Sequence, residues 1–332
     1  MDSLTHLVLG AAVGQAVLGR KVGYRAAIWG GVCATLPDLD VFISMGGAVA
    51  DFTYHRSFSH SLFMLVLITP LVTWLILKFH PQKAVYRRGW FLLVLLALTT
   101  HPLLDSFTVY GTQLFWPLGT VPVGLGSIFI IDPLYTLPLL LGLIAVLSMR
   151  RNPRLGQRLN TAGLLLSSLY LVWSIGAQSY VQGVAKENMA ALGDGGGSLL
   201  VTPAPFNTLL WRVLVMNGSG YRVGFYSLLD EERSIRFVDY SSQSSLLDNL
   251  QSYWPVRRLQ WFTRGFYKVE NLNDAVVISD LRMGVEPEYQ FSFKVADISN
   301  PHPKPAPVEL LDLHRDWEQL PALIRRIWVE PE

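Results

Sequence analysis

Six apolar runs, parted by charged or proline-bearing connections, constrain this chain more than any other feature. They fall at about 4–18, 26–36, 62–79, 90–104, 128–149 and 162–184. A helix needs roughly 17–25 apolar residues to cross a bilayer. The third, fifth and sixth runs meet that length and the fourth is near its limit. The first two are short; Gly10, Ala11, Ala12, Gly14, Gly30 and Gly31 let two helices approach closely, so this pair reads as a packed hairpin. Only 16% of the 332 residues are charged, against about 25% in soluble domains. The expected architecture is a membrane α-helical bundle of about six helices, the first two short, over residues 1–186.

The remainder changes character. Residues 187–198 end in Gly193-Asp194-Gly195-Gly196-Gly197-Ser198, a glycine-rich linker. From 199 to 332 short aromatic and β-branched runs at 209–216, 221–227, 235–240, 260–269, 275–278 and 289–295 predict strands, with a hairpin turn at Asn217-Gly218-Ser219-Gly220. Helices are expected at 245–253 and 317–328, the second following a proline-rich stretch at 301–307. This is a small α+β extramembrane domain. The single cysteine, Cys33, excludes an intramolecular disulfide and a Cys-rich zinc site. A net charge of +2 gives no case for nucleic-acid contact, and Met1-Asp2-Ser3 lacks the basic start of a signal peptide.

Positive charges orient the runs. Arg20, Lys21 and Arg25 join the first pair, Lys78, Lys83, Arg87 and Arg88 the third and fourth, and Arg150, Arg151, Arg154 and Arg158 the fifth and sixth. Segments 37–61 and 105–127 hold only Arg56. Basic short loops stay cytoplasmic. The N-terminus, the poorly charged loops and the C-terminal domain are therefore expected outside, on the periplasmic side of a bacterial inner membrane.

That orientation gathers ionisable residues on one face. Thr5-His6, Leu36-Pro37-Asp38-Leu39-Asp40, His55-Arg56-Ser57-Phe58-Ser59-His60-Ser61 and Thr100-His101-Pro102-Leu103-Leu104-Asp105 all stand at outer mouths of apolar runs. Singly, each histidine could sit in the interface and each aspartate cap a turn. Together they point to function, because charge near a bilayer is costly. His6, Asp38, Asp40, His55, His60, His101 and Asp105 are expected metal ligands for one or two divalent ions. Zinc is the first choice, with manganese or iron suited to the same nitrogen and oxygen donors. His101 and Asp105 have the i, i+4 spacing of one helical face. Asp38 and Asp40 suit a helix end, and His55 and His60 need a turn between them. Asp38 or Asp40 is the expected general base, and Arg56 the expected clamp for a phosphate or carboxylate. His80, His302 and His314 are not expected to bind metal. Ser57, Ser59 and Ser61 are weak nucleophile candidates, Asp132-Pro133 reads as a helix cap, and Tyr110-Gly111-Thr112 and Trp116-Pro117-Leu118-Gly119 read as turns or as the rim of a site.

At these motifs, and at Pro117, the sequence resembles the inner-membrane metal-dependent hydrolases described as LexA-binding. The resemblance covers about the first half; Trp211 and Ser279-Asp280-Leu281-Arg282 resemble an extension that some members carry. It implies a membrane-bound metal-dependent hydrolase. A site at helix mouths would meet a lipid or lipid-linked substrate at a phosphoester, ester or amide bond. The extramembrane domain would cover the site, select substrate or bind a protein partner. A transporter would carry polar residues through the bilayer, whereas 62–79 holds only Thr69 and Thr73 inside. A scaffold with a structural metal is the remaining alternative.

Overall fold

The computed structural model describes all residues except 150, 194–195, 300, 313–318 and 331–332. Arg150, Asp194, Gly195, His314 and Trp317 thus lie outside the described residues. The helices are α1 (Ser3–Val22), α2 (Arg25–Thr35), α3 (Ala48–Tyr54), α4 (Leu62–Phe79), α5 (Arg87–Asp105), α6 (Pro133–Ser148), α7 (Pro153–Ala191), α8 (Trp254–Phe262) and α9 (Gln319–Arg326). Two compact units divide the chain. The first holds residues 1–43, 55–175 and 205–207; the second holds 44–54, 176–204 and 208–332.

In the first unit α1 and α2 form a close hairpin. A Cβ at Gly14 would stand 2.1 Å from the Ala26 carbonyl oxygen, so only glycine permits this approach. Asp2 caps α1, accepting from the Thr5 amide, and Ser61 caps α4, accepting from the Met64 amide. α5 lies against this hairpin and α4, with Trp90, Leu93, Val94, Ala97 and Leu98 fully buried. On the other side of α1, Gln157 and Asn160 of α7 donate to the carbonyls of Gln15 and Ala12 at 3.2 and 2.9 Å. Residues 106–127 fold back on the start of α4: the Gln113 amide donates to the Arg56 carbonyl, and the Leu62 amide to the Leu114 carbonyl.

Among the described residues two helices, α4 and α7, qualify by length and composition to cross a membrane, and α6 is apolar but shorter. The six expected runs therefore yield fewer qualifying spans. α2, with 11 residues, is roughly 16 Å long, and α5 starts on Arg87-Arg88. α7 runs for 39 residues, well past the expected span.

In the second unit, Ala177, Val181, Val184, Ala185 and Met189 of α7 pack against Trp211, Val213, Val215 and Tyr226. The end of the sixth apolar run thus serves a sheet. That sheet is antiparallel, in the order β1 (Leu199–Pro203), β2 (Leu210–Asn217), β3 (Gly220–Ser227), β4 (Phe237–Ser241). Asn217 pairs with Gly220 across the expected hairpin. β5 (Tyr267–Leu272), β6 (Ala275–Asp280), β9 (Ser292–Asp297) and β10 (Lys304–Leu310) form a second sheet, with a small β7 (Gly284–Val285) and β8 (Glu288–Tyr289) ribbon beside them in sequence. The strand expected at 260–269 is corrected: 260–262 close α8, and β5 starts only at Tyr267. Residues 244–250 form a 3-10 helix where a short helix is expected at 245–253. The proline-rich stretch contributes β10, an edge strand, where a missing N–H is tolerated. α3 also belongs to this unit: Phe52 meets Phe291, Phe262 and Phe293 at ring distances of 4.5, 4.8 and 5.2 Å.

Candidate metal centre

The site grows from two kinds of helix end in the first unit. α5 carries His101 and Asp105 one turn apart on its last turns, both fully buried. A 3-10 helix after α2, Pro37–Phe42, carries Asp38 and Asp40. A second, Phe58–His60, precedes α4 and turns His60 inward. One ligand atom from each of Asp38, His60, His101 and Asp105 lies within 4.8 Å of all the others.

Five of the six separations inside this group are close to uniform, and the sixth, between the two carboxylates, is within 4.8 Å. His101 Nε2 is 3.1 Å from His60 Nε2 and 3.3 Å from Asp38 Oδ1. His60 Nε2 is 3.5 Å from Asp38 Oδ1, and both ring nitrogens are 3.4 Å from Asp105 Oδ2. Ligands at zinc-like bond lengths define a tetrahedron with edges of about 3.3 Å.

Hydrogen bonds behind the group fix which atoms face it. His101 Nδ1 lies 2.6 Å from the Ala34 carbonyl oxygen, so it must donate, leaving a lone pair on Nε2. The Ser59 hydroxyl donates to Asp40 Oδ2 at 2.5 Å. It therefore accepts from His60 Nδ1 at 2.9 Å, again leaving a lone pair on Nε2. Asp105 Oδ1 meets His6 Nε2 at 3.1 Å and Arg56 Nη2 at 3.3 Å, and accepts from the Met1 amino group. Its Oδ2 is buried and has no hydrogen-bond donor among the described residues. Burial opposes ionisation of Asp40, yet His55 and Ser59 keep its pKa low. With both rings neutral, four lone-pair donors thus converge on one point. The residues fit a divalent cation: an orphaned carboxylate oxygen, two oriented imidazoles and a second carboxylate at tetrahedral spacing.

The other expected site residues surround this group. His6 stacks on His101, ring centres 3.6 Å apart, and contacts Asp105 through Oδ1. Asp40 and His55 pair at 2.8 Å through His55 Nδ1. Arg56 is buried, 3.3 Å from the Thr108 hydroxyl and 4.9 Å from the Tyr110 ring centre, so its guanidinium faces inward. Its φ of 61° is a strained conformation for a side-chain-bearing residue. The backbone holds it there: the amide donates to Asp40 Oδ2 and the carbonyl accepts from Gln113. Tyr110, in a segment read as a turn or as the rim of the site, packs on both Arg56 and His55. The sequence pointed neither to Ser59 as an orienting group nor to the Ala34 carbonyl; only Ser59 carried a signal, its place directly before His60. Asp132 caps α6 as expected, and His80 accepts from Trp29 Nε1 at 2.8 Å away from the cluster.

The first unit thus defines a helical protein with membrane-type helices and a buried His/Asp cluster that can hold a metal ion. The chain belongs to the family described as YdjM inner membrane protein, whose model matches residues 1–181, and it is an inner membrane protein. It is 34% identical over 140 residues to the uncharacterized protein YfhP of Bacillus subtilis (strain 168), covering 40% of this chain and 42% of the relative. It is 31% identical over 114 residues to the inner membrane protein YbcI of Escherichia coli (strain K12), covering 34% of this chain and 64% of the relative. The matches thus span less than two thirds of either relative. No solved structure matches.

Proposed function

We propose that the protein is a multi-pass, metal-dependent hydrolase whose site and C-terminal domain lie on the periplasmic side, with zinc as the favoured ion. The single observation carrying this is the convergence of four donor atoms from Asp38, His60, His101 and Asp105, with both imidazoles presenting Nε2 inward. A divalent cation held there supplies Lewis acidity and makes water a nucleophile near neutral pH. Asp38, half-buried where the other three are fully buried, marks the open side of the site. His55 is 26% exposed, and Asp40 holds its Nδ1 proton. Its Nε2 is the atom placed to exchange a proton with a leaving group. Arg56 holds Asp105 in place, and a direct grip on substrate is the lesser part of its role.

The substrate class follows from the surroundings. Val41, Phe42, Leu118 and Val121 of the first unit are 69%, 84%, 85% and 68% exposed. Apolar side chains so exposed beside a polar cluster suit a lipid or lipid-linked molecule cleaved at a phosphoester, ester or amide bond.

One observation favours a second reading, a scaffold with a structural ion: four protein donors already fill a tetrahedron, the closed set of structural zinc. Metal analysis of the purified full chain, with turnover on fluorogenic phospholipids, lipid esters and lipid amides, separates the two. The hydrolase reading expects about one ion per chain and metal-dependent turnover, both lost in His60→Ala. An ion without turnover on any of the three favours the scaffold, and absence of metal overturns both.

A further inference from the structure

We propose that the opposite end of the α4–α5 hairpin is a binding site for an anionic glycerophospholipid. A groove of about 370 Å³ is lined by Pro70, Thr73, Trp74 and Leu77 of α4 and by Arg87, Arg88 and Phe91 of α5. It lies along the half of α4 (18 residues) remote from His60, from roughly 15 Å away at Pro70 to roughly 25 Å at Leu77.

Its chemistry is two-part. The wall along α4 is apolar, because the Thr73 hydroxyl is turned back onto the Thr69 carbonyl at 2.8 Å. At 1.5 Å per residue, positions 70 to 77 give an acyl chain about 10 Å of contact. At the mouth, Arg87 and Arg88 are exposed and have no carboxylate partner among the described residues. They open α5, a 19-residue helix, with the Arg87 amide already donating to the Ala84 carbonyl. The two guanidinium groups select an anion. Lys78 lies 3.7 Å from the Trp74 ring centre and adds a third cation.

The occupant follows from what the groove offers. No Asp or Glu occurs between Leu62 and Leu104, so nothing there would pair with a choline or ethanolamine. A soluble anion would gain nothing from Pro70, Leu77 and Phe91. A phospholipid of net negative charge satisfies both parts, its phosphate on Arg87 and Arg88 and one chain along α4. This stands apart from the hydrolase reading, since no His/Asp residue takes part.

Native mass spectrometry of the full chain in detergent, dosed equally with phosphatidylglycerol and phosphatidylcholine, tests it. Phosphatidylglycerol should be retained in preference, and Arg87→Gln with Arg88→Gln should cut that preference at least about five-fold, the size of one lost cationic contact. Leu77→Trp, which fills the groove and keeps every cation, should cut it comparably. Equal retention of the two lipids, or a preference that survives either variant while circular dichroism reports unchanged helicity, overturns the proposal. If either variant loses helicity, Arg87→Ala with Arg88→Ala and Leu77→Phe give the same two comparisons.

Discussion

His60 Nε2 and His101 Nε2 face each other at 3.1 Å, each on a ring whose other nitrogen already donates. Two neutral imidazoles cannot hydrogen-bond through two lone pairs, and two carboxylate oxygens approach the same point. Such a cluster is stable when a metal cation lies at its centre, or when a proton enters and one ring becomes an imidazolium that keeps its outer hydrogen bond. The bonds to Ala34 and Ser59 aim both Nε2 atoms at that centre, the disposition a metal ion requires.

Divalent metal should therefore act as a stabilising ligand. Protein stripped with a chelator should gain about 2.7 kcal/mol when free zinc reaches a hundred times its Kd. Differential scanning fluorimetry in detergent would register this as a rise in Tm. His101→Ala should abolish the rise; an equal rise in that variant would place the binding elsewhere.

Ser59 relays the Asp40 carboxylate to His60, with bonds of 2.5 and 2.9 Å. Removing it frees the ring to rotate and to change tautomer. Ser59→Ala should weaken zinc binding about 10–100-fold, read by competition with a fluorescent chelator, and Ser59→Thr should restore most of it. Unchanged affinity in the alanine variant would mean that His60 is held by packing alone.

His55 offers a contrast. Its bond to Asp40 and partial exposure suit a proton carrier, not a ligand. His55→Gln should keep zinc affinity within about three-fold while lowering turnover on whichever lipid probe is cleaved by about 10²–10⁴. Loss of zinc in this variant would return His55 to the ligand set.

The sequence made some of this arrangement legible and hid the rest for physical reasons. His101 and Asp105 were readable because a regular helix guarantees that residues four apart share a face. Asp38 and Asp40 were not separable, since their division of labour depends on a 3-10 turn, where residues two apart point in different directions. His55 and His60 part company because Arg56 adopts a left-handed backbone and 58–60 coil, a reversal that no propensity encodes. In the second unit, α8 was hidden by Trp254, Trp261 and Phe262, aromatics that a strand would also favour. The placement of α3 with that unit rests on Phe52 packing against rings some two hundred residues away in sequence, beyond the reach of any local pattern.

Gly14 and Gly176 should respond in opposite ways to a methyl group. At Gly14 an added Cβ would collide with the Ala26 carbonyl at 2.1 Å, whereas at Gly176 it would meet nothing within 4 Å. Gly14→Ala should destabilise by about 1–3 kcal/mol. Gly176→Ala, in the exposed middle of α7, should stabilise by up to about 1 kcal/mol. Denaturation midpoints in mixed micelles would check both. A neutral Gly14→Ala would mean that the α1–α2 hairpin is looser than its backbone contacts require.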